Sequence, residues 1–96
     1  MDQLEIETRA SGQVIARRNY LLAVWAGKQM SLSAQDLPAY VDAVMKSDFE
    51  EPGPQDVIRK LQSDFSKRGM KVGAPQLLSQ LQKIEKSVRA ELLTTD

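Results

Sequence analysis

The chain has 96 residues, 42% of them hydrophobic and 27% charged, and its thirteen basic and thirteen acidic side chains give a formal net charge of zero. That length holds one domain with one modest core, and the cancelled charge provides no global field for nucleic acid or an anionic membrane. Cysteine and histidine are both absent, which excludes disulfides, thiol redox chemistry, His/Cys metal centres and imidazole acid–base catalysis, while a carboxylate-only site for Mg²⁺ or Ca²⁺ stays open.

The N-terminal stretch "MDQLEIETRASGQ" is acidic and lacks the apolar centre of a signal peptide. No apolar run approaches the roughly 18–20 residues of a membrane span. These features predict a soluble, cytoplasmic chain without processing. The spacing of Val14, Leu21, Leu22, Val24 and Trp25 predicts an amphipathic helix over 13–29, with an extension back towards Gln3. Gly12 weakens that extension by about 1 kcal/mol relative to Ala, so residues 1–12 are expected to form a flexible arm and residues 13–96 a bundle. Trp25 lies mid-stripe and is expected to anchor the core. Asn19 is a poor helix former inside a helix; it reads either as a buried hydrogen-bonding residue or as an exposed recognition residue.

The second helix opens at "LSAQDL", where Ser33 can cap and Leu32 and Leu37 can staple. Pro38 removes one helical hydrogen bond in that register, which places the start of regular helix near Leu37. Leu37, Tyr40, Val41, Val44 and Met45 form its apolar face. "EPGPQD" then leads to a third helix, with Pro54 suited to its first position and Val57, Ile58, Leu61 and Phe65 on its buried side. Gly69 is its expected left-handed terminator. The fourth helix follows "GAPQ", with Leu77, Leu78, Leu81, Ile84, Val88 and Leu92 in its stripe. Four amphipathic helices with short connections predict an all-α, compact four-helix bundle.

The densest chemistry lies in "DFEEPGPQDVIRKL", residues 48–61. Asp56 falls in the first turn of the third helix, where the dipole favours an anion. Asp48 lies at the end of the second helix, where the dipole opposes it. If the first two helices form an antiparallel hairpin, Arg17 and Arg18 face Met45 to Asp48. An ion-pair and hydrogen-bond network between the stretch Arg17, Arg18, Asn19 and the stretch Asp48, Phe49, Glu50, Glu51 is therefore expected, with a partner-binding surface on the same residues as the competing reading. The spacing matches no EF-hand loop, so no metal is expected, and a Mg²⁺-dependent hydrolase using Asp48 to Glu51 ranks last. "GKQMS" lacks the first glycine of a phosphate-binding loop.

Two stretches carry a family resemblance. "ARRNYLLAVWAGKQMSLS" (16–33) and "DFEEPGPQDVIRKLQSDF" (48–65) resemble, in content, order and separation, the zeta-subunit family of alphaproteobacterial F-type ATP synthases. Ala16, Arg17, Arg18, Asn19, Leu21, Leu22 and Trp25 stand at that family's first motif, and Asp48 to Gly53 with Asp56, Val57, Arg59, Lys60 and Leu61 at its second. The resemblance implies a four-helix regulatory subunit that is not an enzyme. It would be a monomer when free, without nucleic-acid contacts or membrane insertion, and peripheral at the inner membrane through the synthase. It implies inhibition of ATP hydrolysis by an N-terminal segment that enters the interface between catalytic subunits, here with Leu4, Ile6 and Val14 as inserting residues. Only fifteen residues precede Ala16, which predicts weakened inhibition. The alternative is a non-inhibitory paralogue acting as an adaptor or as a sensor of adenine nucleotide; no other cofactor is expected.

Overall fold

A computed structural model describes residues 3–47 and 54–94. It contains four helices, α1 (Gln3–Gln29), α2 (Asp36–Ser47), α3 (Gln55–Lys67) and α4 (Ala74–Thr94), and no strand among the described residues. The bundle expected from the periodicity is the fold observed. α1 takes the longer of the two lengths allowed above: it runs through Gly12 back to Gln3, because one glycine costs only about 1 kcal/mol in a helix interior.

The ends of the helices follow local chemistry. Ser33 Oγ accepts the N–H of Asp36 at 3.1 Å, and the Ser33 carbonyl accepts the N–H of Leu37 at 2.9 Å. Residues 34–35 form a turn, and α2 proper starts at Asp36, as the missing N–H of Pro38 leads one to expect. Pro54 has near-helical angles (φ −78, ψ −7), and its carbonyl accepts the first bond of α3 from Ile58 at 3.1 Å. At the start of α4 the Gly73 carbonyl receives Leu77, while the Gln76 side chain reaches back to the Gly73 N–H at 3.1 Å. That is one half of a capping box.

α1 and α3 both end in a Schellman motif. Leu32 N–H bonds Gly27 O and Ser31 N–H bonds Lys28 O, both at 3.0 Å. Met70 N–H bonds Phe65 O and Gly69 N–H bonds Ser66 O, both at 2.9 Å. The left-handed residue is Gly69 in α3 (φ 73) and Ser31 in α1 (φ 61).

α1 packs against all three other helices, while α2 and α4 do not touch. The core is built from Leu22, Ala23, Ala26 and Met30 of α1 and its C-terminal turn, Val41 and Val44 of α2, Val57, Ile58, Leu61 and Phe65 of α3, and Leu77 and Leu81 of α4. Small Ala23 and Ala26, both fully buried, let neighbouring helices come close. So does Gly27: a Cβ there would overlap Leu37 Cδ1 and lie 3.5 Å from Tyr40 Cδ2. Leu78, placed in the α4 stripe by its spacing, instead stands 37% exposed, because the stripe that faces the bundle is the narrower Leu77–Leu81–Val88 row.

Candidate functional site

The residues singled out in the sequence separate into three places. Leu4 and Ile6 belong to the N-terminal turns of α1. Val14, grouped with them above, is only 2% exposed and packs into the bundle, as does Val88 of α4 at 1%. Asp48, Phe49, Glu50 and Glu51 lie outside the described residues.

Arg17 is exposed, whereas Arg18 and Asn19 are buried at 4% and 1%. Of the two readings of Asn19, the buried hydrogen-bonding one is observed. Arg18 Nε donates to Asn19 Oδ1 at 3.0 Å, and Nη1 donates to Glu85 Oε1 of α4 at 3.1 Å. Arg89 Nε lies 3.8 Å from the other Glu85 oxygen. Among the described residues Arg18 thus pairs with α4, a helix that flanks α1 as α2 does, while the acidic residues expected to face it lie outside the described residues. Glu85 carried a signal that was not used: it follows Ile84 and lies four residues after Leu81 and three before Val88, at the border of the buried stripe.

A second polar cluster ties α2 to α3. Tyr40 Oη donates to Asp64 Oδ2 at 2.9 Å, and Lys60 Nζ reaches the same carboxylate at 3.1–3.2 Å. Asp64 is 9% exposed. Burial, then the hydrogen bond to Asp64 and its charge, push the Tyr40 hydroxyl above the ordinary tyrosine range; nearby Arg68 opposes the shift. The sequence reading placed Tyr40 on an apolar face and passed over Asp64, although "LQSDF" sets it between two core residues.

Trp25 is half-buried at the edge of the core, with its ring edge-on to Phe65 at 6.2 Å and 65°. It lines a cleft of about 230 Å³ with Gln29, Met70, Val72, Gln76 and Gln80. A larger, mainly apolar cleft of about 590 Å³ opens between the N-terminal ends of α3 and α4, lined by Pro54, Ile58, Arg59, Gln62, Pro75 and Leu78. No group of three or more metal-ligating side chains occurs among the described residues. None of their helices is long and apolar enough to cross a membrane.

One buried ion pair between helices, a part-buried tyrosine–aspartate hydrogen bond and shallow clefts, with two long and two short helices, define a small all-α bundle protein. The family model for ATPase inhibitor subunit zeta matches residues 5–91, and the chain belongs to that family. The match takes in all four helices, including most of the N-terminal part of α1. By its name the family indicates an inhibitor subunit of ATP synthase, a regulatory protein. No curated protein and no solved structure matches the chain.

Proposed function

We propose that the chain binds the catalytic head of F-type ATP synthase and restrains ATP hydrolysis with the N-terminal part of α1. The observation that carries this reading is the length of α1. Its 27 residues span about 40 Å, whereas the 12 of α2, the 13 of α3 and the 21 of α4 span about 18, 20 and 32 Å. Gly27 of α1 lies against Leu37, and Tyr20 shares a cleft with Met45; carrying that register on, α2 ends opposite about residue 18 of α1. Arg18 opposite Glu85, carried on likewise, brings the end of α4 at Thr94 opposite about residue 9. The first turns of α1, with Leu4 and Ile6, therefore extend beyond the bundle.

A helical wedge between catalytic subunits blocks the opening and closing that turnover needs. The two apolar side chains supply burial, and the acidic residues around them confer selectivity for a basic rim. Exposed Arg17 offers a second point of contact on the bundle. On this reading the protein is cytoplasmic and peripheral at the membrane that carries the synthase. Co-elution of the full chain with the isolated catalytic head in size-exclusion chromatography tests it. Replacing Leu4 and Ile6 together by Glu is expected to weaken the complex about tenfold or more, through lost apolar burial. Unchanged co-elution of that variant would move the contact away from the arm, and no co-elution of the parent would remove the reading.

A further inference from the structure

The cluster of Arg18, Asn19 and Glu85 sits at a particular level of the bundle. The register of Gly27 against Leu37, carried on, brings the end of α2 opposite about Arg18, and Val14 of α1 and Val88 of α4 are both buried. One residue earlier than Gln13, a Cβ on Gly12 would have nothing within 4 Å among the described residues. N-terminal to this level, α1 has lost α2 as a flanking helix and keeps α4 as its support. Buried apolar side chains such as Val14 and Val88 resist neither rotation of α1 about its axis nor sliding along α4, since burial of apolar area is non-directional. A guanidinium oriented on α1 by Asn19 and bonded across to Glu85 of α4 resists both, because its planar fork demands a set direction as well as a distance.

The cluster is also a poor choice for stability alone. Arg18 is 4% exposed, and its Nη2 has no hydrogen-bond partner among the described residues. A buried ion pair with one donor unmet contributes less than well-packed apolar side chains of similar volume, and its best-attested use is to select one register.

We infer that Arg18, held by Asn19 Oδ1 and Glu85 Oε1, is a registry lock that fixes the rotation and direction in which the N-terminal part of α1 leaves the bundle. Arg18 is thus a positioning residue: it does not touch the synthase but aims the segment that does. This deepens the proposed function and rests on it for its biological meaning, while the lock itself is a property of the free protein.

The absence of cysteine makes the lock measurable. Spin labels on Thr8→Cys in α1 and Ser66→Cys in α3, in the full chain, report one distance between the arm and the bundle. The lock predicts a single narrow distance peak. Arg18→Met removes the buried charge and leaves Glu85, part-exposed and beside Arg89, in a tolerable state. Arg18→Met/Glu85→Met removes both charges, so one of the two variants remains informative if the other does not fold. Loss of the narrow peak with the bundle's melting transition preserved supports the lock, and Glu85→Gln in the parent, which keeps an acceptor for Arg18 Nη1, is expected to retain the narrow peak. A peak as narrow in the Met variants as in the parent overturns it. Hydrolysis by the catalytic head separates the two claims. If the parent inhibits, the Met variants are expected to lose inhibition at the concentration where the parent half-inhibits, whereas unaltered inhibition would contradict the aiming role. If the parent does not inhibit, the proposed function fails and the distance measurement still decides the lock.

Discussion

At Ser31 an ordinary L-residue occupies the left-handed position that glycine holds at the end of α3. The backbone bonds of the two Schellman motifs correspond, so the difference between the ends lies in the Cβ. Ser31→Gly removes a steric cost of roughly 1–2 kcal/mol, less the extra chain entropy of glycine. A net gain of about 0.5–1 kcal/mol in urea unfolding is expected; a loss would mean that the Ser31 side chain contributes a contact of its own. Tyr40 is the second instructive residue. Its hydroxyl keeps its proton in the folded protein to higher pH than in the unfolded chain. Below about pH 10 both states are protonated and the Tyr40–Asp64 bond contributes fully. As pH rises further the unfolded tyrosine ionises first, the folded state holds the extra proton, and stability falls. Tyr40→Phe is expected to cost about 1–2 kcal/mol at neutral pH. It should also flatten the fall in melting temperature above pH 10. Parallel pH profiles for parent and variant would remove this account of Tyr40.

At the scale of the element, most helix limits were legible because they depend on neighbours in sequence. Ser33, Pro38 and Gly69 each act within a turn of their own position and stand where their chemistry placed them. Pro54, expected at the first helical position, lies one residue earlier as the cap of α3, which starts at Gln55. The extent of α1 was less legible, because a single glycine is a quantitative penalty and not a stop. Gly12 and Gly27 make this testable in one helix. A methyl group at Gly12 meets open space, while at Gly27 it must displace Leu37. Gly12→Ala is therefore expected to raise helicity and stability by about 0.5–1 kcal/mol. Gly27→Ala should show no such gain, since the shift of Leu37 offsets the helix propensity. Circular dichroism melts of the two variants distinguish them; equal gains would mean that α1 and α2 do not approach closely at Gly27.

At the scale of the whole molecule, the polar contacts between helices were the least legible part, because they need the bundle's neighbour relations and not periodicity alone. The pairing of Arg18 with Glu85 of α4 and the Tyr40–Asp64–Lys60 cluster are not visible to a reading of one helix, or of one pair of helices, at a time. The two clusters have comparable roles: Arg18–Glu85 fastens α1 to α4, and Tyr40–Asp64 fastens α2 to α3. Between them, Trp25 edge-on to Phe65 links α1 to α3. All three hold the bundle together around α1, and α1 extends N-terminal to the level at which α2 ends. The most direct measurement is ATP hydrolysis by the isolated catalytic head of the cognate synthase, titrated with the full chain and with the Leu4→Glu/Ile6→Glu variant. The account predicts saturable inhibition by the parent and a shift to higher concentration for the variant. Full activity at saturating parent protein, or inhibition identical for the two, would contradict it.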